Sequence, residues 1–229
     1  MRDVLTRVEW TIAATSQFDP AVSDRRFTIL ASDYTLATLA PAILREAAKA
    51  SSPARFLFLT QIGSAERLLD LGDADLVIIP SAFCAKRHPF EIVLEEAFVA
   101  VVWRHGRLGG RKLTRKAFES AAHVVAQPQS DDPSLETAFL KDLGVTRNVE
   151  VTSYSFLSLP HLVVGTDRVA TMHARLARLA AAMLPVEALE LPFRLPKMRQ
   201  AMQWHKFRTQ DAGLSWLRGL IRDAARTLG

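Results

Sequence analysis

The sequence holds a single cysteine, Cys84, in 229 residues. An internal disulfide is therefore impossible, which fits a reducing cytoplasm. No apolar run approaches the ~20 residues of a bilayer span. The longest, near 176–186, is interrupted by Arg178 and ended by Pro185. No signal peptide opens the chain, because charges recur throughout residues 1–10. Glycine-rich phosphate loops, a dinucleotide fingerprint and a nucleophile-elbow pattern are all missing. An enzyme of this size should show a base with an orienting partner, and no such constellation is found.

Metal chemistry also lacks a signature. The six histidines are His88, His105, His123, His161, His173 and His205. None belongs to an HExxH pattern. Cys84 and His88 stand four apart, but two ligands do not make a site, since a structural zinc needs about four. Neither a metal nor a cofactor is expected. Cys84 reads as a small buried apolar residue.

What is present suits an ordinary globular domain: 49 % apolar and 23 % charged residues. The net charge is +5. It permits a nucleic-acid context but does not specify one, because the late basic residues are spread over several elements rather than forming one block.

Strand and helix signals alternate from Arg26. "FTILAS", "ARFLFLT" and "ADLVIIP" are short apolar runs of buried-strand type, with helical stretches between them. Pro41 predicts a kink or break in the first of those helices. Residues 95–105, "EEAFVAVVWRH", read as one long strand. Glu95 and Glu96 point to opposite faces of it, so they do not share a proton. "GRLGGRK" reads as a basic surface loop, and the βα order then resumes. "SDDP" reads as a helix start capped by Asp132. The order implies an α/β fold with mostly parallel sheets. Two similar halves are expected, joined by long strands at 98–105 and 198–207, with a ligand cleft between the lobes.

Polar residues gather where strands end and helices begin, the place where open α/β sheets bind ligands. They are Ser32, Asp33, Tyr34 and Thr35; Thr60 and Gln61; Ser81; Ser155; and Thr171 with His173. Helix capping alone explains any single one. Their repetition favours non-covalent ligand binding.

Four stretches carry a family resemblance: "FDPAVSDRRFTILASDY", "LLDLGDADLVIIP…HPFEIVLEEAFVAVV", "VGTDRVATMHARLA" and "QWHKFRTQDAGLSWLR". Together they resemble the effector-binding region of LysR-type transcriptional regulators, in the NodD-like branch that answers to flavonoids or other aromatic inducers. The resemblance runs from about Phe18 to Ala225. It implies a two-lobed fold like type 2 periplasmic binding proteins, with two Rossmann-like subdomains joined by two crossover strands. On this basis residues 1–17 are the end of a linker helix, 18–102 with 203–229 are subdomain I, and 103–202 are subdomain II. The implied effector contacts are Ser32, Asp33, Tyr34, Thr60, Gln61, Pro80, Ser81, Ser155, Phe156, Thr171 and His173.

The resemblance further implies pairing of effector domains, tetrameric full-length regulators, and DNA contact through a winged helix-turn-helix that is not found in this sequence. The chain alone is therefore expected not to bind an operator. Neither membrane contact nor catalysis is expected. Two other readings stay open: an enzyme using the same cleft, and a truncated regulator that only dimerises.

Overall fold

The computed structural model describes residues 18–60, 64–127 and 133–228. The linker-helix expectation for 1–17, the proposed contact Gln61 and the proposed cap Asp132 lie outside the described residues. The chain divides into two compact units. One runs up to Leu94 and resumes at Arg199, and the other is Glu95–Met198.

The first unit is built on β1 (Arg26–Ala31), β2 (Arg55–Leu59), β3 (Leu76–Pro80), β4 (Phe90–Glu96) and β10 (Met198–Gln203), in the order β2-β1-β3-β10-β4. β1 runs parallel to both β2 and β3, while β10 pairs antiparallel with β3. Strands flanked on both faces should be apolar almost throughout. β3 meets this, with Leu76, Val77, Ile78 and Ile79 all buried.

Helices cover both faces of that sheet. α1 (Asp33–Thr38), α2 (Ala40–Lys49) and the C-terminal α8 (Ala212–Arg226) enclose one core. It contains Phe27, Ile29, Ile43, Ile78, Leu217 and Ile221. α3 (Ala65–Asp70) covers the other face, with Leu69 against Leu30, Val77 and Ile79. Pro41 separates α1 from α2 at Leu39 and occupies the first turn of the new helix. Its missing N–H has no helical partner to lose there.

The second unit holds β5 (Phe98–Trp103), β6 (Ala122–Ala126), β7 (Asn148–Ser153), β8 (Val169–His173) and β9 (Val186–Leu189). Their order is β7-β6-β8-β5-β9. β6 is parallel to β7 and β8, whereas β5 is antiparallel to β8 and β9. The helices of this unit are α4 (Arg115–Ser120), α5 (Leu135–Asp142), α6 (Leu159–Val163) and α7 (Ala174–Ala181).

The expected long strand over 95–105 is two strands. β4 ends at Glu96 in the first sheet, and β5 begins at Phe98 in the second. Likewise β10 belongs wholly to the first sheet. The chain therefore passes between units at Leu94–Glu95 and Met198–Arg199, before 102/103 and 202/203 where the sequence places the changes. An unbroken apolar run cannot reveal which sheet each part pairs with. The helix expected to start at Asp132 begins at Leu135, and Ser134 caps it by accepting the Thr137 N–H.

Glu95 and Glu96 diverge as the pleat requires. Glu95 is exposed, whereas Glu96 is buried and pairs with Arg175 at 3.0 Å. In the basic turn, Gly110 (φ 66°) donates its N–H to Glu187. At Gly109 a Cβ would lie 2.0 Å from the Arg104 carbonyl oxygen, so only glycine fits.

Candidate functional site

In the first unit the carboxyl ends of β1 and β3 lie side by side, with Ala31 in register with Ile78. Antiparallel β10 starts at the same end, and Gln200 pairs with Pro80. Ser32 follows β1 in extended conformation, and its Oγ accepts the Thr35 N–H at 3.4 Å. The Ser32 and Thr35 hydroxyls are 3.3 Å apart. Gln200 Nε2 donates to Thr35 Oγ1 at 3.1 Å. The result is a polar chain of Ser32, Thr35 and Gln200 across the strand ends. Gln200 is 2 % exposed, and its Oε1 finds no hydrogen-bond partner among the described residues.

The other expected contacts of this unit take varied positions. Asp33 Oδ1 accepts the Tyr34 N–H at 2.9 Å, and Tyr34 is buried. Pro80 and Ser81 are half-buried, Ser81 opening a 3₁₀ turn to Phe83. Thr60 is exposed just past β2.

In the second unit Thr171 and His173 occupy one face of β8, two residues apart. Antiparallel β5 sets Phe98 opposite His173 and Ala100 opposite Thr171. The His173 ring lies 5.1 Å from Phe98 and 5.2 Å, edge-on, from Phe156. Phe98 in turn meets Phe139 edge-on at 6.2 Å. An aromatic cluster thus surrounds the end of β8. Burial lowers the His173 pKa to about 3, so the ring is neutral at physiological pH.

Thr171 is 4 % exposed, and its Oγ1 finds no hydrogen-bond partner among the described residues. Ser155 belongs to a serine turn. Its N–H donates to Ser153 Oγ at 3.1 Å, and its Oγ accepts the Ser158 N–H at 3.3 Å. A pocket of about 220 Å³ opens at the ends of β6 and β7, lined by residues including Ala126, Gln127, Ser134 and Arg147. Arg147 is committed to the buried Glu136 carboxylate and to Thr137 Oγ1, so it is not a spare anion receptor.

Unpaired buried polar atoms are uncommon in folded proteins and call for an explanation. Among such atoms of the described residues are Gln200 Oε1 in the first unit, on β10 opposite the end of β3, and Thr171 Oγ1 in the second, midway along β8. Neither sits beside a base–nucleophile pair. Unpaired hydroxyl and amide groups and aromatic faces are the chemistry of non-covalent recognition of a small molecule. Sequence reading found Thr171, His173 and Phe156, and the structure brings these together. It missed Gln200, Phe98 and Phe139. No local pattern marks them, because antiparallel pairing or helix packing delivers them to the site.

Comparison with known proteins agrees with this architecture. The family model described as the LysR substrate binding domain matches residues 20–226. Nodulation protein D of Bradyrhizobium sp. (strain ANU 289) is 31 % identical over 229 residues, covering 100 % of this chain and 68 % of that protein. A probable transcriptional regulator of Pseudomonas aeruginosa superposes with a TM-score of 0.85 at 20 % identity, covering 96 % of this chain and 74 % of that one. The effector binding domain of QuiR in complex with shikimate, 12 % identical, gives 0.74 over 90 % of this chain and 99 % of that one. These likenesses in three dimensions bear on the fold.

Proposed function

Since the chain belongs to the LysR substrate-binding domain family, and is a regulator's effector-binding domain rather than an enzyme, we propose that it senses an uncharged aromatic effector. Ser32, Thr35 and Gln200 on the first unit and Thr171, Phe156 and His173 on the second are the contacts. The pair of buried, unpartnered polar atoms, Gln200 Oε1 and Thr171 Oγ1, carries this reading. Gln200 Oε1 on the first unit accepts from an effector hydroxyl, and the Thr171 hydroxyl offers a further hydrogen bond on the second unit. Rings of Phe98 and Phe156 supply apolar contact area. Asp33, Tyr34, Thr60, Pro80, Ser81 and Ser155 are kept as further candidate contacts or supports, each on its own unit, and so is Gln61, which lies outside the described residues.

The effector's binding energy shifts the conformational equilibrium of the paired domains only by its differential affinity for the two states. In the whole regulator, a homodimer or tetramer acting in the cytoplasm, that shift reaches DNA-binding heads through the linker helices. The test is a thermal-shift screen of phenols and flavonoids, followed by calorimetry. A ligand at 100 times its dissociation constant adds about 2.7 kcal/mol of stability. Saturable binding that weakens in Gln200→Leu and Thr171→Val supports the site. Unchanged affinity in both variants overturns it.

A further inference from the structure

We propose that the first unit carries a transition-metal site made by Asp70, His88 and His205. Their ligand atoms all lie within 4.8 Å of one another. His88 Nε2 is 3.0 Å from Asp70 Oδ1, and His205 Nε2 is 3.6 Å from the same oxygen. Ligands about 2.1 Å from a tetrahedral zinc stand about 3.4 Å apart, so these separations bracket the spacing a metal requires. The two imidazoles face each other with centroids 4.6 Å apart. Two nitrogens and one carboxylate oxygen form a borderline donor set. It suits Zn²⁺, Ni²⁺, Co²⁺ or Cu²⁺ rather than Mg²⁺ or Ca²⁺. The fourth position is left to water.

The triad is held in place by its surroundings. Asp70 closes α3, His88 lies in the loop before β4, and His205 follows β10. Gln203 ties that loop to β10: it accepts the Ala85 N–H at 2.9 Å and donates to the Ala85 and His88 carbonyls at 2.8 and 3.2 Å. The Trp204 N–H also reaches the Pro89 carbonyl at 3.3 Å. His88 is thereby fixed beside His205 before any metal arrives. Arg87 grips Asp70 Oδ2 and, at 2.6 Å, Glu66, leaving Oδ1 turned to the two rings. Outer partners of this kind orient ligating groups. The His88 ring is 4 % exposed, and its Nδ1 has no hydrogen-bond partner among the described residues.

Proton placement gives a second readout. The Phe207 N–H donates to His205 Nδ1 at 3.2 Å, so in the neutral ring Nε2 bears the proton. A metal on Nε2 transfers that proton to Nδ1, and the Phe207 hydrogen bond is given up. Metal binding therefore loosens the start of the 3₁₀ turn Lys206–Arg208 while it joins three segments of the unit.

The experiment is calorimetric titration of the full chain, without an affinity tag, using Zn²⁺ and Ni²⁺, with Mg²⁺ as a control. One metal per chain is expected, together with a rise in Tm and faster amide exchange at Phe207. His88→Gln and His205→Gln should each weaken binding at least tenfold. His161→Ala, at an exposed histidine of the other unit, should leave it unchanged. Metal-free melting curves identify any variant that fails to fold, and Asp70→Asn supplies a third, size-conserving change. The proposal is overturned if neither Zn²⁺ nor Ni²⁺ saturates the chain below millimolar concentration. Undiminished binding by the folded His88→Gln/His205→Gln double variant would overturn it too. Both outcomes are independent of whether an aromatic effector binds.

Discussion

Replacing Thr171 with valine should stabilise the protein while it weakens effector binding. The side chain is 4 % exposed on β8, and its hydroxyl has no hydrogen-bond partner among the described residues. Valine keeps the branched shape and the strand preference. Burying an unsatisfied hydroxyl costs about 1–3 kcal/mol, and the methyl that replaces it gains up to ~0.8 kcal/mol of transfer energy. A slightly poorer fit of the larger methyl offsets part of this. The net expectation is a gain of about 1–2 kcal/mol, or roughly 3–6 °C in Tm for a chain of this size. A neutral hydrogen bond to a ligand contributes about 0.5–1.5 kcal/mol, so affinity should drop about two- to tenfold. Urea denaturation without effector and calorimetry with it measure the two effects. A loss of 1 kcal/mol or more without effector would show that the hydroxyl is bonded within the protein, and the argument from its unpaired state would collapse.

Three further outcomes follow from the structure. Asp211→Ala should cost about 4 kcal/mol in urea melts, because it strips the buried Arg208 and the half-buried Arg25 of a carboxylate and removes the cap that accepts the Leu214 N–H. Burial alone would raise the Asp211 carboxyl, but bonds from Arg25, Leu214 and Arg208 outweigh it and hold it far below the usual range. Its contribution is therefore complete above about pH 4 and is lost only on stronger acidification. Burial lowers His173 to about 3 and His123 to about 4, the latter despite its bond to the Phe118 carbonyl. The unfolded chain takes up these protons near pH 6.5, so stability should decline from about pH 6.5 to pH 4, by up to ~1.4 kcal/mol per pH unit for each histidine. Burial likewise lowers His205 to about 4, so His173→Phe should remove roughly a third of that slope, and a flat profile would contradict the burial argument. Gln200→Leu should keep the fold within about 1 kcal/mol, since it removes an orphan acceptor along with one bond. It should still abolish preference among effectors that differ only in a hydroxyl, as read by competition calorimetry.

How far the sequence reached depended on how local each signal was. Parallel strands β1 and β3 were legible because burial on both faces demands unbroken apolar runs. Caps were legible where a single side chain does the work, as at Ser32. The division at Ala97 was not, because the apolar character of 90–103 continues across it while the pairing partners change from one sheet to the other. The site shows the same contrast. Thr171 and Phe156 lie at junctions that the chain order exposes. Gln200 becomes a strand-end residue only because β10 runs antiparallel to β3. His88 and His205 are far apart in sequence, and only the Gln203 clamp between loop and strand reveals that they converge.

Several positions within the segments that carry the family resemblance serve the scaffold. In the opening motif, Phe18 packs on Trp216 at 5.3 Å and on Phe27 at 6.0 Å, fixing the start of the unit against α8. Asp19 accepts the Ala21 N–H and closes the turn into β1. In the second motif, Gly72 adopts the left-handed conformation (φ 74°) that ends α3. Asp75 accepts the Thr28 N–H at 2.7 Å and pairs with Arg208 at 2.6 Å. Because Arg208 also holds Asp211, the motif ties β1 to the cap of α8. Likeness at these positions therefore transmits a fold with little information about its ligand, whose selection we propose for Gln200, Thr171 and the rings around His173. Asp75→Asn should accordingly lower stability by about 2–3 kcal/mol through the weakened Arg208 pair. Once folded, that variant should bind every effector in the same order of preference as the parent chain; a reordered preference would place Asp75 in recognition.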